Sequence, residues 1–164
     1  MFYLELFRSL DRHQVRYLLV GGLAMNLHGV PRMTMDVDLV LALDGENLDA
    51  FLRCAAELGL EPQVPVPLAA LRDPERRAAW VEQKHMIAFP LQGRDAGAPT
   101  VDVLIRHPLD IDAALARSER RDLDGVPVWL AAAEDMVRLK EGTGRRQDAD
   151  DIAHLRRLRE RDHE

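Results

Sequence analysis

Apolar residues near the start of the chain recur with the spacing of a helix face. Tyr3, Leu6, Phe7 and Leu10 fall on one side of a 3.6-residue repeat, which predicts an amphipathic helix ending near His13. The period then changes. Arg16–Val20 is a run of strand formers that stops at Gly21-Gly22, and Leu23–His28 reads as a short helix with Gly29 and Pro31 as stop signals. From Asp36 to Leu43 the pattern alternates. Val37, Leu39, Leu41 and Leu43 share one face of a strand, while Asp36 and Asp38 share the other, about 7 Å apart along it. A helix follows Asp44-Gly45, with Leu48, Phe51, Leu52 and Ala55 as its buried stripe and Gly59 as its stop.

Residues 61–84 break this regularity. Pro62, Pro65 and Pro67 predict an irregular connection, and Asp73-Pro74 has the form of an N-cap followed by proline, opening a short helix through Trp80. His85–Phe89 and Thr100–Ile105 read as two strands, joined as a hairpin by the Gly/Asp/Pro-rich segment Gln92–Pro99. Leu109–Arg117 is predicted helical, and Val126–Trp129 is a short strand introduced by Asp124-Gly125. Ala132–Glu141 and Asp148–Arg159 form the last two helices, linked through Gly142–Gly144. Strands interleaved with helices, plus one hairpin, predict an α/β (α+β) fold with a mixed sheet flanked by helices. A single domain over residues 1–164 is expected, its carboxyl-terminal part helical.

Composition narrows the setting. A hydrophobic fraction of 47% and a charged fraction of 30% are those of a globular protein, and no apolar run approaches the length of a membrane span. The amino terminus lacks a basic start and a small-residue cleavage site, and Cys54 is the single cysteine. A reducing cytoplasm is therefore the expected location, with no internal disulfide and no cysteine-rich zinc site. The net charge of −6 argues against broad nucleic-acid binding through charge alone. Arginines do cluster near the carboxyl end, at 145, 146, 156, 157, 159 and 161, where a solvated helix face is the simpler reading.

The candidate chemistry lies in residues 20–38 and in one later strand. Two carboxylates on one strand face repel, and a divalent cation removes that conflict; oxygen-only ligands suit Mg²⁺ or Mn²⁺. Asp102 is an isolated acid among the core formers Val101 and Val103–Ile105, so it must face water or find a partner. If its strand lies beside that of Asp36 and Asp38, the three acids converge around one or two ions. Gly21-Gly22 precedes a helix start, where free amides and the helix dipole favour an anion such as phosphate.

Together these residues resemble the DNA polymerase β-like nucleotidyltransferase superfamily: a Gly-Gly turn opening a helix (Gly21, Gly22), Asp-x-Asp on the next strand (Asp36, Asp38) and a third carboxylate on a later one (Asp102). The tail, Leu139-Lys140 followed by Gly144-Arg145, Asp148 and Asp151-Ile152, resembles that of small nucleotidyltransferases of the abortive-infection (AbiEii) type, as does Arg32-x-Thr34. The resemblance implies a nucleotidyltransferase fold and metal-dependent transfer of a nucleoside monophosphate from a nucleoside triphosphate to a hydroxyl acceptor. It implies Asp36, Asp38 and Asp102 as metal-binding and catalytic residues. Gly21, Gly22, Lys140 and Arg32 are candidates for nucleotide or phosphate contact. Arg145 is assigned a helix-start ion pair with Asp148 or Asp151, and Thr34 a strand position facing the site. The acceptor is left open between tRNA, protein and a small molecule. The biological setting implied is a toxin–antitoxin or defence pair, with a cognate antitoxin as partner and no membrane. Leu23 stands where many members carry serine, leaving backbone amides alone to hold phosphate; the alternative is a non-catalytic nucleotide-sensing or protein-binding module on the same fold.

Overall fold

In the computed structural model the described residues are 2–95, 97–141 and 146–162. Helix α1 (Phe2–Arg12) leads into strand β1 (Tyr17–Val20), helix α2 (Gly21–Leu27), strand β2 (Val37–Leu41) and helix α3 (Gly45–Leu58). A two-residue strand β3 (Glu61–Pro62), a 3₁₀ turn (Leu68–Arg72) and helix α4 (Pro74–Lys84) precede the pair β4 (Ala88–Gln92) and β5 (Thr100–Leu104). Helix α5 (Ile111–Ala116), strands β6 (Glu119–Leu123) and β7 (Val126–Leu130), and helices α6 (Ala133–Glu141) and α7 (Arg146–Asp162) complete the chain.

The strands form one mixed sheet in the order β3-β4-β5-β2-β1-β7-β6. β1 runs antiparallel to β2 and parallel to β7, while β2 and β5 run parallel. The arrangement is the α/β mixed sheet flanked by helices that the sequence pattern predicts. β2 lies between β1 and β5, and its hydrophobic residues Val37, Leu39 and Leu41 are buried together with Val40 on the opposite face. Asp38 shares the face of Val40, so that face is covered along most of the strand and opens at its start. The core includes the fully buried Phe7, Phe51 and Phe89, with Leu18, Leu19 and Leu39 from the central strands.

Local chemistry explains the best-read elements. The Asp44 carboxylate accepts from the Asn47 backbone N–H at 2.9 Å, capping α3, and Gly59 ends that helix at φ +67°, a conformation that disfavours a side chain. Asp73 caps α4 by accepting from the N–H groups of Glu75 and Arg76, with Pro74 in the first turn.

Five expectations need correction. β6 is a strand absent from the sequence reading: its five residues include four charged in succession, the usual dress of an exposed sheet edge, and they mask the strand pattern. It pairs antiparallel with β7 through Asp124-Gly125, both at positive φ, and an Asp-Gly pair in that conformation is a hairpin signal. Gly21 and Gly22 are the first residues of α2 and not a turn ahead of it. α4 continues past Trp80 to Lys84, where His85 takes a left-handed conformation. Thr34 sits in the segment before β2, outside any strand. β2 itself begins at Val37, leaving Asp36 just ahead of it. Gly142–Arg145, including the proposed Arg145 ion pair, lie outside the described residues. Among those described, no helix is long and apolar enough to cross a membrane.

Candidate active site

Parallel pairing of β2 and β5 sets Asp38 and Asp102 directly opposite each other. Register partners on neighbouring strands point to the same face, so the two side chains meet, and their carboxyl groups share a hydrogen bond. Asp36, one step ahead of the strand, accepts from the Thr100 backbone N–H at 3.3 Å, anchoring it to the start of β5. The structure thus brings the three acids to one corner of the sheet, two of them in contact. Among the described residues, no group of three or more His, Cys, Asp or Glu side chains is placed so that it could hold a metal ion as it stands.

The electrostatics of this corner are unfavourable in the absence of a counter-charge. Burial, then the charges of Asp102 and Asp36, push the Asp38 carboxyl up to about 6, with the Lys140 cation pulling the other way. Asp102 is also raised, by burial and by Asp36, while the bond from Asp38 lowers it. Asp38 therefore takes up a proton as pH falls toward about 6 and can then donate it to Asp102. Lost from this pair, it leaves two adjacent negative charges in a half-dry site.

The two glycines serve two different close approaches. Gly21 has φ +75°, and a Cβ built there falls 2.0 Å from Asp38 Oδ2. Only glycine lets the backbone take this conformation and lie against that carboxyl. A Cβ on Gly22 would instead meet Thr34 at 3.0 Å, so the second glycine makes room for the segment leading to Asp36. No side chain caps α2, whose start at Gly21 lies beside Asp38. Val20, Gly21, Asp38 and Lys140 line one cavity of about 190 Å³, walled by Leu104, Met136 and Leu139.

Lys140 and Arg32 do not stand free in that space. Lys140 Nζ donates to Asp148 Oδ1 at 3.1 Å and Asp151 Oδ2 at 3.0 Å, and Arg32 Nη1 donates to the same Asp151 oxygen. Among the described residues, two cations and two carboxylates, each acid only 5% exposed, form a cluster that ties α6, α7 and the segment before Asp36 together. Lys140 faces the cavity from this cluster. Arg32 is bound to Asp151 and does not line that cavity, and its backbone N–H donates to Asn26 Oδ1. In the sequence Asp148 and Asp151 stand in a tail motif and as candidate partners of Arg145; Arg32, the partner of Asp151, is more than a hundred residues away.

One further residue escapes the sequence reading. Tyr3, assigned there to the apolar stripe of α1, donates its hydroxyl to the Met35 carbonyl at 2.6 Å, one residue before Asp36. Burial and the Asp36 charge both raise its pKa. No local signal separates it from an ordinary helix tyrosine.

The same architecture recurs in solved structures. The lincosamide antibiotic adenylyltransferase LnuA, with lincomycin bound, superposes with a TM-score of 0.54 at 13% identity, over 91% of this chain and 90% of that one. The fold is that of the nucleotidyltransferases. A second protein of this fold, ANT(2″)-Ia in complex with adenylyl-2″-tobramycin, gives a TM-score of 0.52 at 15% identity, over 94% and 91% of the two chains. An antigenic nucleotidyltransferase-like protein from Paracoccidioides brasiliensis gives 0.51 at 20% identity, over 94% of this chain and 74% of that one. No protein-family model and no curated protein sequence matches the chain. At such identities the likeness is one of nucleotidyltransferase fold.

Proposed function

We propose that the protein is a nucleotidyltransferase that moves a nucleoside monophosphate from a nucleoside triphosphate to a hydroxyl group of an acceptor. The observation that carries this reading is the Asp38–Asp102 carboxyl pair, bonded across β2 and β5 directly against the Gly21 backbone at the head of α2. Two like-charged groups in a buried corner are costly for folding alone, and they suit a site completed by a cation.

Asp36, Asp38 and Asp102 would hold Mg²⁺ or Mn²⁺: the donors are all oxygen, and burial beside two other acids, which raises Asp38, is a conflict that a cation would remove. Bound there, the ion would neutralise charge on the phosphates and make the acceptor hydroxyl more acidic. The backbone amides at Gly21 and Gly22 would donate to phosphate oxygens. Lys140, which lines the cavity with Asp38, would contact the β- and γ-phosphates. Asp102 would accept the proton of the attacking hydroxyl. The acceptor oxygen forms a bond to the α-phosphorus, the α–β phosphoanhydride bond breaks, and pyrophosphate leaves. Arg32, bound to Asp151, acts here as support for the segment that carries Asp36.

The tail that resembles the abortive-infection branch supports a toxin–antitoxin or defence setting with a cognate antitoxin, and in this chain it is also the ion cluster of Lys140, Asp148 and Asp151. A growth arrest on expression that requires Asp38 is the expected sign of that setting.

The direct test incubates the protein with each radiolabelled nucleoside triphosphate, Mg²⁺ and cell extract. Label should enter an acceptor with the parent protein, and transfer should vanish in the Asp36→Asn, Asp38→Asn double variant; equal transfer by that variant defeats the reading. Leu23 favours the second possibility, a nucleotide-binding module without catalysis, because its side chain packs against the core and offers phosphate nothing. Calorimetric binding of a triphosphate without any labelled product would select it.

A further inference from the structure

The two flanks of α7 are differently charged environments. On one, Arg156 is paired with Glu141 at 3.4 Å, and the depression beside it is lined by Glu134 and Glu141 as well as by Arg138 and Arg159. On the other, His154, Arg157 and Arg161 recur at the three- and four-residue spacing of one helix face. They line a depression of about 280 Å³ together with Gly29, Val30, Pro31 and Leu158. No acid lines it. Among the described residues neither Arg157 nor Arg161 has an ion-pair partner. In a chain of net charge −6 this is a local inversion of sign.

The groove leads toward the carboxylates. Its wall Gly29–Pro31 continues into Arg32, held by Asp151, and Asp151 also holds Lys140, which lines the cavity with Asp38. Along α7, Arg157 lies about 9 Å and Arg161 about 15 Å beyond Asp151, and the two arginines are about 6 Å apart. Between groove and site, Met33 is fully exposed and Met35 is 62% exposed, offering apolar contact to a flat ring.

Resting on the transferase reading above, we propose that this flank of α7 binds the phosphodiester backbone of a single-stranded polynucleotide, the acceptor whose terminal hydroxyl reaches the Asp38–Asp102 corner. Arg157 and Arg161 neutralise successive phosphates, His154 and the methionines meet bases, and the contacts ignore the sugar. The other depressions along α7 mix acids with their arginines, and the net charge of the chain is negative, so the strand is favoured on this track. The larger depression of about 380 Å³ near His28 is a poorer seat, because Glu119 and Glu134 line it and its Arg117 is bound to Asp135 at 2.7 Å.

The test measures fluorescence anisotropy of labelled single-stranded RNA and DNA oligonucleotides over a salt series. Both should bind, and the Arg157→Glu, Arg161→Glu variant should bind at least about tenfold more weakly, with its log–log salt slope reduced by about 1.4 for two lost phosphate contacts. The Arg156→Glu, Arg159→Glu variant on the opposite flank should bind nearly as the parent does. No binding by the parent, an unchanged slope in the first variant, an equal loss in the second, or equally tight binding of polyglutamate would overturn the proposal. Calorimetry of a nucleoside triphosphate with Mg²⁺ separates the two readings. Nucleotide binding without oligonucleotide binding removes this surface and leaves the transferase; the reverse result leaves the surface and removes the transferase.

Discussion

Strands β1 and β2 lie side by side, and the polar groups at their two ends are handled in opposite ways. Where β1 begins and β2 finishes, the buried Asn47 accepts from the Arg16 N–H at 2.7 Å and donates to the Arg16 and Ala42 carbonyls at 2.9 and 2.8 Å. Its own N–H goes to Asp44. Every hydrogen-bonding group there has a partner, and the result is a corner that fixes α3 to the sheet. Where β1 finishes and β2 begins, Asp36, Asp38 and Asp102 crowd one another, with a proton held at about pH 6 in place of a counter-ion. The first end stabilises the fold unaided. The second is a standing cost that the proposed cation and nucleotide would relieve, and this imbalance is the physical ground for proposing it as the site.

The comparison can be broken most severely at Gly21. Gly21→Ala should cost about 3 kcal/mol or more of stability, from the left-handed backbone and the contact with Asp38, and should remove nucleotide binding with it. Urea unfolding and calorimetry read the two effects. Asn47→Ala should cost about 2 kcal/mol, because three backbone groups, one of them in a buried bond, lose a partner, while nucleotide affinity stays at the parent value. An equal loss of affinity would mean the two ends are mechanically coupled.

Asp38→Asn should do the reverse and stabilise. In the folded protein Asp38 holds its proton up to about 6, against an ordinary value of 3.8. Its contribution is therefore fully present below about pH 4 and is lost as pH rises through about 6, a change of about 3 kcal/mol at most. The variant should melt higher than the parent at pH 8 and no higher at pH 4. For the same reason Mg²⁺ should raise the parent's melting temperature more at pH 8 than at pH 5, since proton and cation compete for one carboxylate. Smallest of all, Arg120→Ala removes an exposed pair with Asp122 at 3.0 Å on β6, and its effect on urea midpoint should stay within about 0.5 kcal/mol.

How much of this was legible depends on whether the signal was local. The alternation of Val37, Leu39 and Leu41 against Asp38 is a property of one strand, and it placed both the strand and its acids. The caps Asp44, Gly59 and Asp73-Pro74 act within a few residues and were equally readable. Asp102 was visible as a charge among core formers; its neighbour in the sheet was not, because strand order depends on packing across the whole chain. Arg32 is the clearest failure of locality. Its partner Asp151 lies on the last helix, so a residue read as a candidate phosphate contact is found bound to an acid of the protein itself. β6 escaped for a different reason: an edge strand needs few hydrophobic residues, and Arg120 and Asp122 point to solvent.

The parallel register of Asp38 with Asp102 has an evolutionary corollary. Everything from Ala42 to Pro99 is a single excursion that departs from β2 and comes home beside it. Main-chain bonds keep the two acids in step whatever that detour contains. Lengthening or exchanging the proline-rich stretch within it would change the β3 side of the sheet while the acids stay put, a route by which one ancestral scaffold can acquire new surfaces without disturbing them.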